Sequence, residues 1–218
     1  AALQLVAKEI LHLSDQVKKV LHDTVTVVKE NQMQGVDKIQ EESAKVTKLT
    51  DKITDYLAGL FSSGLLTEQQ ASQTAGLMYV LGDVERIGNL SAGIALSMKE
   101  KETNQYKYSQ EAMDELAKCL KTLEKMFDSA TKALRGDTTV ELEKLMKRKD
   151  KIVNLDIMMR KSHIQRVNKG KCKASLTTPF TNILHLIDRM GNSCINLADA
   201  ATNEVALKYF LPKDEMTM

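Results

Sequence analysis

One short pattern occurs twice in this chain and limits what it can fold into. Acid, Arg, apolar residue, Gly and Asn follow one another in "VERIGN" (84–89) and again in "IDRMGN" (187–192), about 100 residues further on. Each copy lies inside a run whose apolar residues recur in steps of three and four, the stripe of an amphipathic helix. Five matching positions at equivalent points of two similar runs are the trace of a tandem duplication. The chain is therefore expected to build one helical unit and then build it again.

The stripes around the motif count the helices. Leu3, Val6, Ile10, Leu13, Val17, Val20, Thr24 and Val28 mark a first helix ending near Asn31, with Gly35 marking the turn after it. Val36, Ile39, Val46, Leu49, Ile53, Leu57 and Leu60 mark a second. Thr67 and Gln70 form a capping-box start for a third, which reaches about Glu102 and contains the first motif. Leu116, Leu120, Leu123, Phe127, Ala130 and Leu134 then mark a fourth, closed by "RGD" at 135–137. A fifth is expected from about Thr138 to Asn168. A sixth opens with Thr178 as N-cap and Pro179 at the first helical position, and carries the second motif. The fold class that follows is all-α: two tandem three-helix bundles of six long helices, with residues 1–104 and 105–218 as the two repeats.

Composition narrows the function. Of 218 residues, 43% are hydrophobic but only 4% aromatic, so there is no stacking platform for single-stranded nucleic acid. The formal net charge of +2 also gives no reason to expect a nucleic-acid partner. No apolar run approaches the roughly 18 uncharged residues of a membrane span. Cys119, Cys172 and Cys194 are odd in number and widely spaced, which fits a reducing compartment better than a disulfide framework. The chain begins at Ala1 with its first helix under way by Leu3, as expected of a processed or excised segment. Phosphate-binding loops, dinucleotide turns and nucleophile elbows are missing from the sequence, and no catalytic residue is expected.

The acid of each motif falls where the stripe calls for an apolar residue: Glu85 after Leu81, and Asp188 after Leu184. A carboxylate placed there needs a cation, a metal or hydrogen-bond donors. Gly88 and Gly191 would let a neighbouring backbone or ligand approach, and Asn89 and Asn192 add a second polar group four residues on. The sequence thus predicts a polar notch in each half. A salt bridge from a neighbouring helix, fixing register, satisfies the same requirement. Arg86 and Arg189 are expected at the bundle margin.

These residues resemble the twice-repeated Glu-Arg-Ile-Gly-Asp motif of PhoU domains. The similarity extends through "ITDYLAGL" and "GLLTEQQASQTAGLMYVLGDVERIGN" to "RKSHIQRVNKGKC", which is similar to a segment of the PhoU domain that follows the transmembrane part of bacterial sodium/phosphate cotransporters. The resemblance implies two tandem three-helix bundles, and iron or zinc held by acids on the second and third helices of each bundle. Carried over by residue, it leaves Glu85, Asp188 and Asp150 as metal ligands, with Asn89 and Asn192 where the family has Asp, and Ala44, Thr47 and Val153 where it has further acids. Hard cations need several anionic oxygens, so the expected cofactor is none, with iron or zinc as the alternative.

Two further features compete for a role. The fifth helix carries Lys147, Arg148, Lys151, Arg160 and Lys161 within a longer basic run that includes Lys149 and Arg166. Such a strip suits anionic lipid or an acidic partner, and equally a solvated helix face. Glu9 and His12 have the Glu-x-x-His spacing of di-iron bundles, but neither His22, His163 nor His185 supplies the second pair that chemistry needs.

Three readings follow. The first is a regulatory domain of a sodium-dependent phosphate cotransporter. It would lie on the cytoplasmic side of the bacterial inner membrane and contact the transmembrane part, a phosphate-signalling protein or the membrane surface. The second is a stand-alone regulator with iron or zinc in the notches, and the third is a helical scaffold. A homodimer is also expected from the outward Met and Leu residues.

Overall fold

The computed structural model describes residues 2–104, 107–137, 139–202, 207 and 210, and within them it is helical throughout, without strands. Six helices follow one another: α1 (Ala2–Glu30), α2 (Val36–Ser62), α3 (Glu68–Thr103), α4 (Gln110–Leu134), α5 (Leu142–Asn168) and α6 (Thr177–Thr202), the last preceded by a 3₁₀ turn at Ala174–Leu176. Three of them stop just before a glycine in the left-handed region. Gly64, Gly136 and Gly170 take φ of 67°, 99° and 70° beyond α2, α4 and α5. Thr67 accepts the Gln70 amide while Gln70 bonds back to the Thr67 amide, the capping box read from the sequence.

Gly35 lies in the turn after α1, as expected, and is the N-cap of α2 at an ordinary φ of −85°, while Asn31 at φ 51° opens that turn. Two boundaries differ from the expectations. The fifth helix begins at Leu142; Thr138 itself lies outside the described residues. Thr178 is not an N-cap, because the 3₁₀ turn at Ala174–Leu176 leads directly into α6 at Thr177. Pro179 therefore sits inside the first turn, where an amide would have no intrahelical acceptor.

Helices α1, α2 and α3 pack together, as do α4, α5 and α6, and the two triplets meet through α1 against α4 and α3 against α6. This leaves α2 and α5 outermost. Most of the apolar stripes merge into one core running from Ile10, Leu13 and Leu21 through Leu81 and Ile87 to Leu116, Leu123, Phe127, Ile183 and Leu197, with a smaller cluster of Val20, Val27, Val36, Ile39, Ala92 and Ala95 at one end of the first three helices. The four inner helices therefore bury two faces each. The outer pair bury one.

Candidate functional site

Repeat equivalence follows from the buried positions. Ile39, Val46 and Ile53 of α2 correspond in spacing and burial to Leu145, Ile152 and Met159 of α5. Each outer helix then presents one further face toward the motif on its own third helix.

In the first half that face meets the motif with hydroxyls. Ser43 and Thr47 both donate to Asn89 Oδ1, at 3.0 and 3.2 Å. Glu85 is half-buried and lies beside Thr50. Burial raises its pKa above the ordinary 4.5, Thr50 opposes this by hydrogen bonding, and the charge of Asp51 adds to it. Gly88 serves packing rather than a ligand: a Cβ there would stand 3.1 Å from Val17 and 3.6 Å from Val46.

In the second half a lysine fills the notch. Lys149 takes the place of Ser43, lays its aliphatic stem over Gly191, and sets its ammonium 2.6 Å from Asp188 Oδ1. Its side chain is only 14% exposed, so the charge is held in place rather than solvated. The missing Cβ of Gly191 makes the room, since one would stand 3.2 Å from Lys149 Cδ. Asp150, the neighbouring residue, is exposed and is not brought to Asp188. Asn192 is exposed as well.

The acid buried most deeply beside the motifs is one the periodicity did not single out. Asp83, 9% exposed, sits where α3 meets α6. It accepts from Arg86 at 2.6 Å and from Asn196 at 3.4 Å, and Arg86 also reaches Ser193 Oγ at 3.5 Å. Arg86 thus links the two halves from an exposed position at their margin, the place expected for it, and Arg189 is exposed as well. Burial raises the pKa of Asp83 above 3.8 against the opposing pull of Asn196, Arg86 and Ser193. The signal was available in the sequence: Asp83 and Arg86 are three apart on one helix. In the second repeat Leu186 stands in the position of Asp83, so the bridge is made once.

The basic run divides. Arg166 is buried against Glu111 and Glu115, 3.9 Å from each. His163 stacks on Phe180 at 5.1 Å, with Nε2 2.9 Å from Thr177 Oγ1 and Nδ1 3.8 Å from the Cys172 sulfur. Both therefore hold α5 to its neighbours. Arg148 donates to Ser129, Arg160 to Asp156, and Lys147 pairs with Glu143, while Lys151 and Lys161 are exposed. Burial pushes the Cys119 thiol up to about 12 and raises that of Cys194 too, which leaves neither reactive.

The PhoU domain family model matches residues 10–98 and 116–201, one match on each three-helix unit. This chain belongs to the PhoU domain family. Its fold superposes on the crystal structure of PhoU from Pseudomonas aeruginosa with a TM-score of 0.81 at 14% identity, covering 92% of this chain and 95% of that one. No curated protein matches it.

An iron or zinc cluster requires several facing carboxylates. The notches supply a Glu85–Asp51 pair beside neutral hydroxyls in one half, and in the other a single Asp188 neutralised by an ammonium. Among the described residues no three His, Cys, Asp or Glu side chains are grouped as ligands. These residues do not fit a cluster.

Proposed function

We propose that this PhoU domain is a regulatory interaction module in phosphate uptake that acts on a sodium-dependent phosphate cotransporter from the cytoplasmic side of the bacterial inner membrane. The observation that carries this reading is the ion pair of Lys149 and Asp188 lying over Gly191. The position that would hold a metal ion instead holds a lysine of the chain itself, so the domain works through its surfaces. Family membership supports a role in phosphate regulation rather than catalysis. The segment "RKSHIQRVNKGKC" supports the cotransporter as the regulated protein. In this reading 1–104 and 105–218 are the two repeats of one module, which meets the transporter through its outer helix faces.

The test is uptake of radiolabelled phosphate by cells whose gene carries or lacks the codons for this segment, across a range of external phosphate. Loss of the dependence of uptake on phosphate status is expected. Identical uptake curves would overturn the proposal. Elemental analysis of the purified chain tests the metal-binding alternative. Stoichiometric iron or zinc that disappears in Glu85→Ala/Asp188→Ala would establish metal regulation instead.

A further inference from the structure

Helix α5 carries a second apolar stripe, facing away from its own bundle. Met146, Val153, Ile157 and Ile164 are 44%, 41%, 49% and 55% exposed. With Asp150 and Arg160 they form the series 146, 150, 153, 157, 160, 164, in steps of four, three, four, three and four. Those steps put all six on one line along the helix, the spacing of a coiled-coil seam. The corresponding positions of α2 are Gln40, Ala44, Thr47, Asp51, Thr54 and Ala58, polar or small throughout. The stripe therefore belongs to the second repeat alone and is not a by-product of the duplication.

The stripe is its own complement when reversed. Reading outward from its midpoint, Val153 faces Ile157, Asp150 faces Arg160, and Met146 faces Ile164. An apolar residue answers an apolar residue and an acid answers a base in every layer, as an antiparallel pair of identical helices requires. Asp150 is exposed and shows no ion-pair partner within the described chain. Among the described residues Arg160 pairs with Asp156, one turn before it. Because α5 is an outer helix, a second copy can approach without displacing any other described helix.

We infer that α5 is a self-association surface: two copies of this chain pair through antiparallel α5 helices, with Val153 and Ile157 at the two-fold centre and Asp150–Arg160 ion pairs across each end. The occupant is a second copy rather than a lipid surface because the seam contains an acid in register with a base, and an anionic headgroup would repel that acid. Lys147 and Lys161 fall on one flank of the pair and oppose each other. Lys147 is offset by Glu143 at 3.6 Å, and both stems can turn outward to water. This inference stands apart from the cotransporter proposal, since pairing is read on the purified chain without phosphate or transporter.

Sedimentation equilibrium of the full 218-residue chain tests it. The wild type is expected at twice 24.3 kDa. Asp150→Arg and Arg160→Asp, each placing like charges across both layers, are expected to weaken pairing by roughly tenfold or more. The double variant Asp150→Arg/Arg160→Asp restores the complement and is expected to recover the dimer. Far-UV circular dichroism confirms folding, which Asp150→Arg is expected to leave intact because its carboxylate is exposed and makes no hydrogen bond or ion pair among the described residues. A wild-type monomer would overturn the inference, as would a dimer indifferent to both reversals or a double variant no better than the singles. A monomer captured by phosphatidylserine vesicles through Lys147, Lys151 and Lys161 would also overturn it, and would assign the face to lipid.

Discussion

Two glycines in the same motif carry different loads. A methyl at Gly88 would meet Val17, a fully buried β-branched side chain on another helix with no free rotamer to adopt. A methyl at Gly191 would meet the stem of Lys149, which has several rotatable bonds. Gly88→Ala is therefore expected to destabilise the chain by about 1–3 kcal/mol through overpacking. Gly191→Ala is expected to change stability by less than about 1 kcal/mol, since the lysine can move and alanine favours the helix. Urea unfolding midpoints measure both, and an equal cost at the two sites would show that the lysine is as fixed as the valine. The sequence made both glycines visible and predicted close approach at each. What approached was not legible, because it depends on Val17 and Lys149, which lie far away in the chain and reach the glycines only once the bundles close.

At the scale of elements, the helices themselves were the most legible feature, since buried residues in α1, α2 and α4 recur on the stripes that local spacing marks. The contacts between halves were less so. Helix α3 buries residues on two sides, one against α1 and α2 and one against α6. Its periodicity accordingly blurs, and Asp83 was lost in it while Glu85 drew attention by breaking the apparent stripe. The α3–α6 seam gives a pH prediction. Burial holds the pKa of Asp83 above 3.8, so the folded chain takes up this proton more readily than the unfolded one. Its contribution to stability therefore grows as pH falls from neutral through the folded value toward 3.8, and is lost again as pH rises. Asp83→Asn removes that component while Glu85, Glu115 and Asp128 titrate alike in both proteins. Urea midpoints at pH 7 and pH 4.5 should move in favour of the wild type on acidification. A difference that stays constant between the two pH values would show that Arg86, Asn196 and Ser193 fully compensate the burial.

At the scale of the molecule, the duplication suggests two units, but the packing joins them. A single apolar core passes from Leu13 and Leu21 of α1 to Leu116, Leu123 and Phe127 of α4, and from Leu81 and Ile87 of α3 to Ile187 and Cys194 of α6. If the repeats were independent, the faces of α1 and α3 turned toward the other half would have nothing to cover them. Damage in one repeat must then be felt in the other. Leu13, fully buried in α1, supplies the perturbation, and Leu13→Ala removes enough packing to cost about 2–5 kcal/mol. Hydrogen exchange read by mass spectrometry locates the loss, because peptides from α1–α3 and α4–α6 report separately. Protection is expected to fall by the same free energy in the slowest amides of α4 and α6 as in those of α1 and α3. A loss confined to the first three helices would mean that the α1–α4 and α3–α6 seams are docking surfaces between two autonomous bundles, in which case the shared core forms after each repeat has folded and not with it.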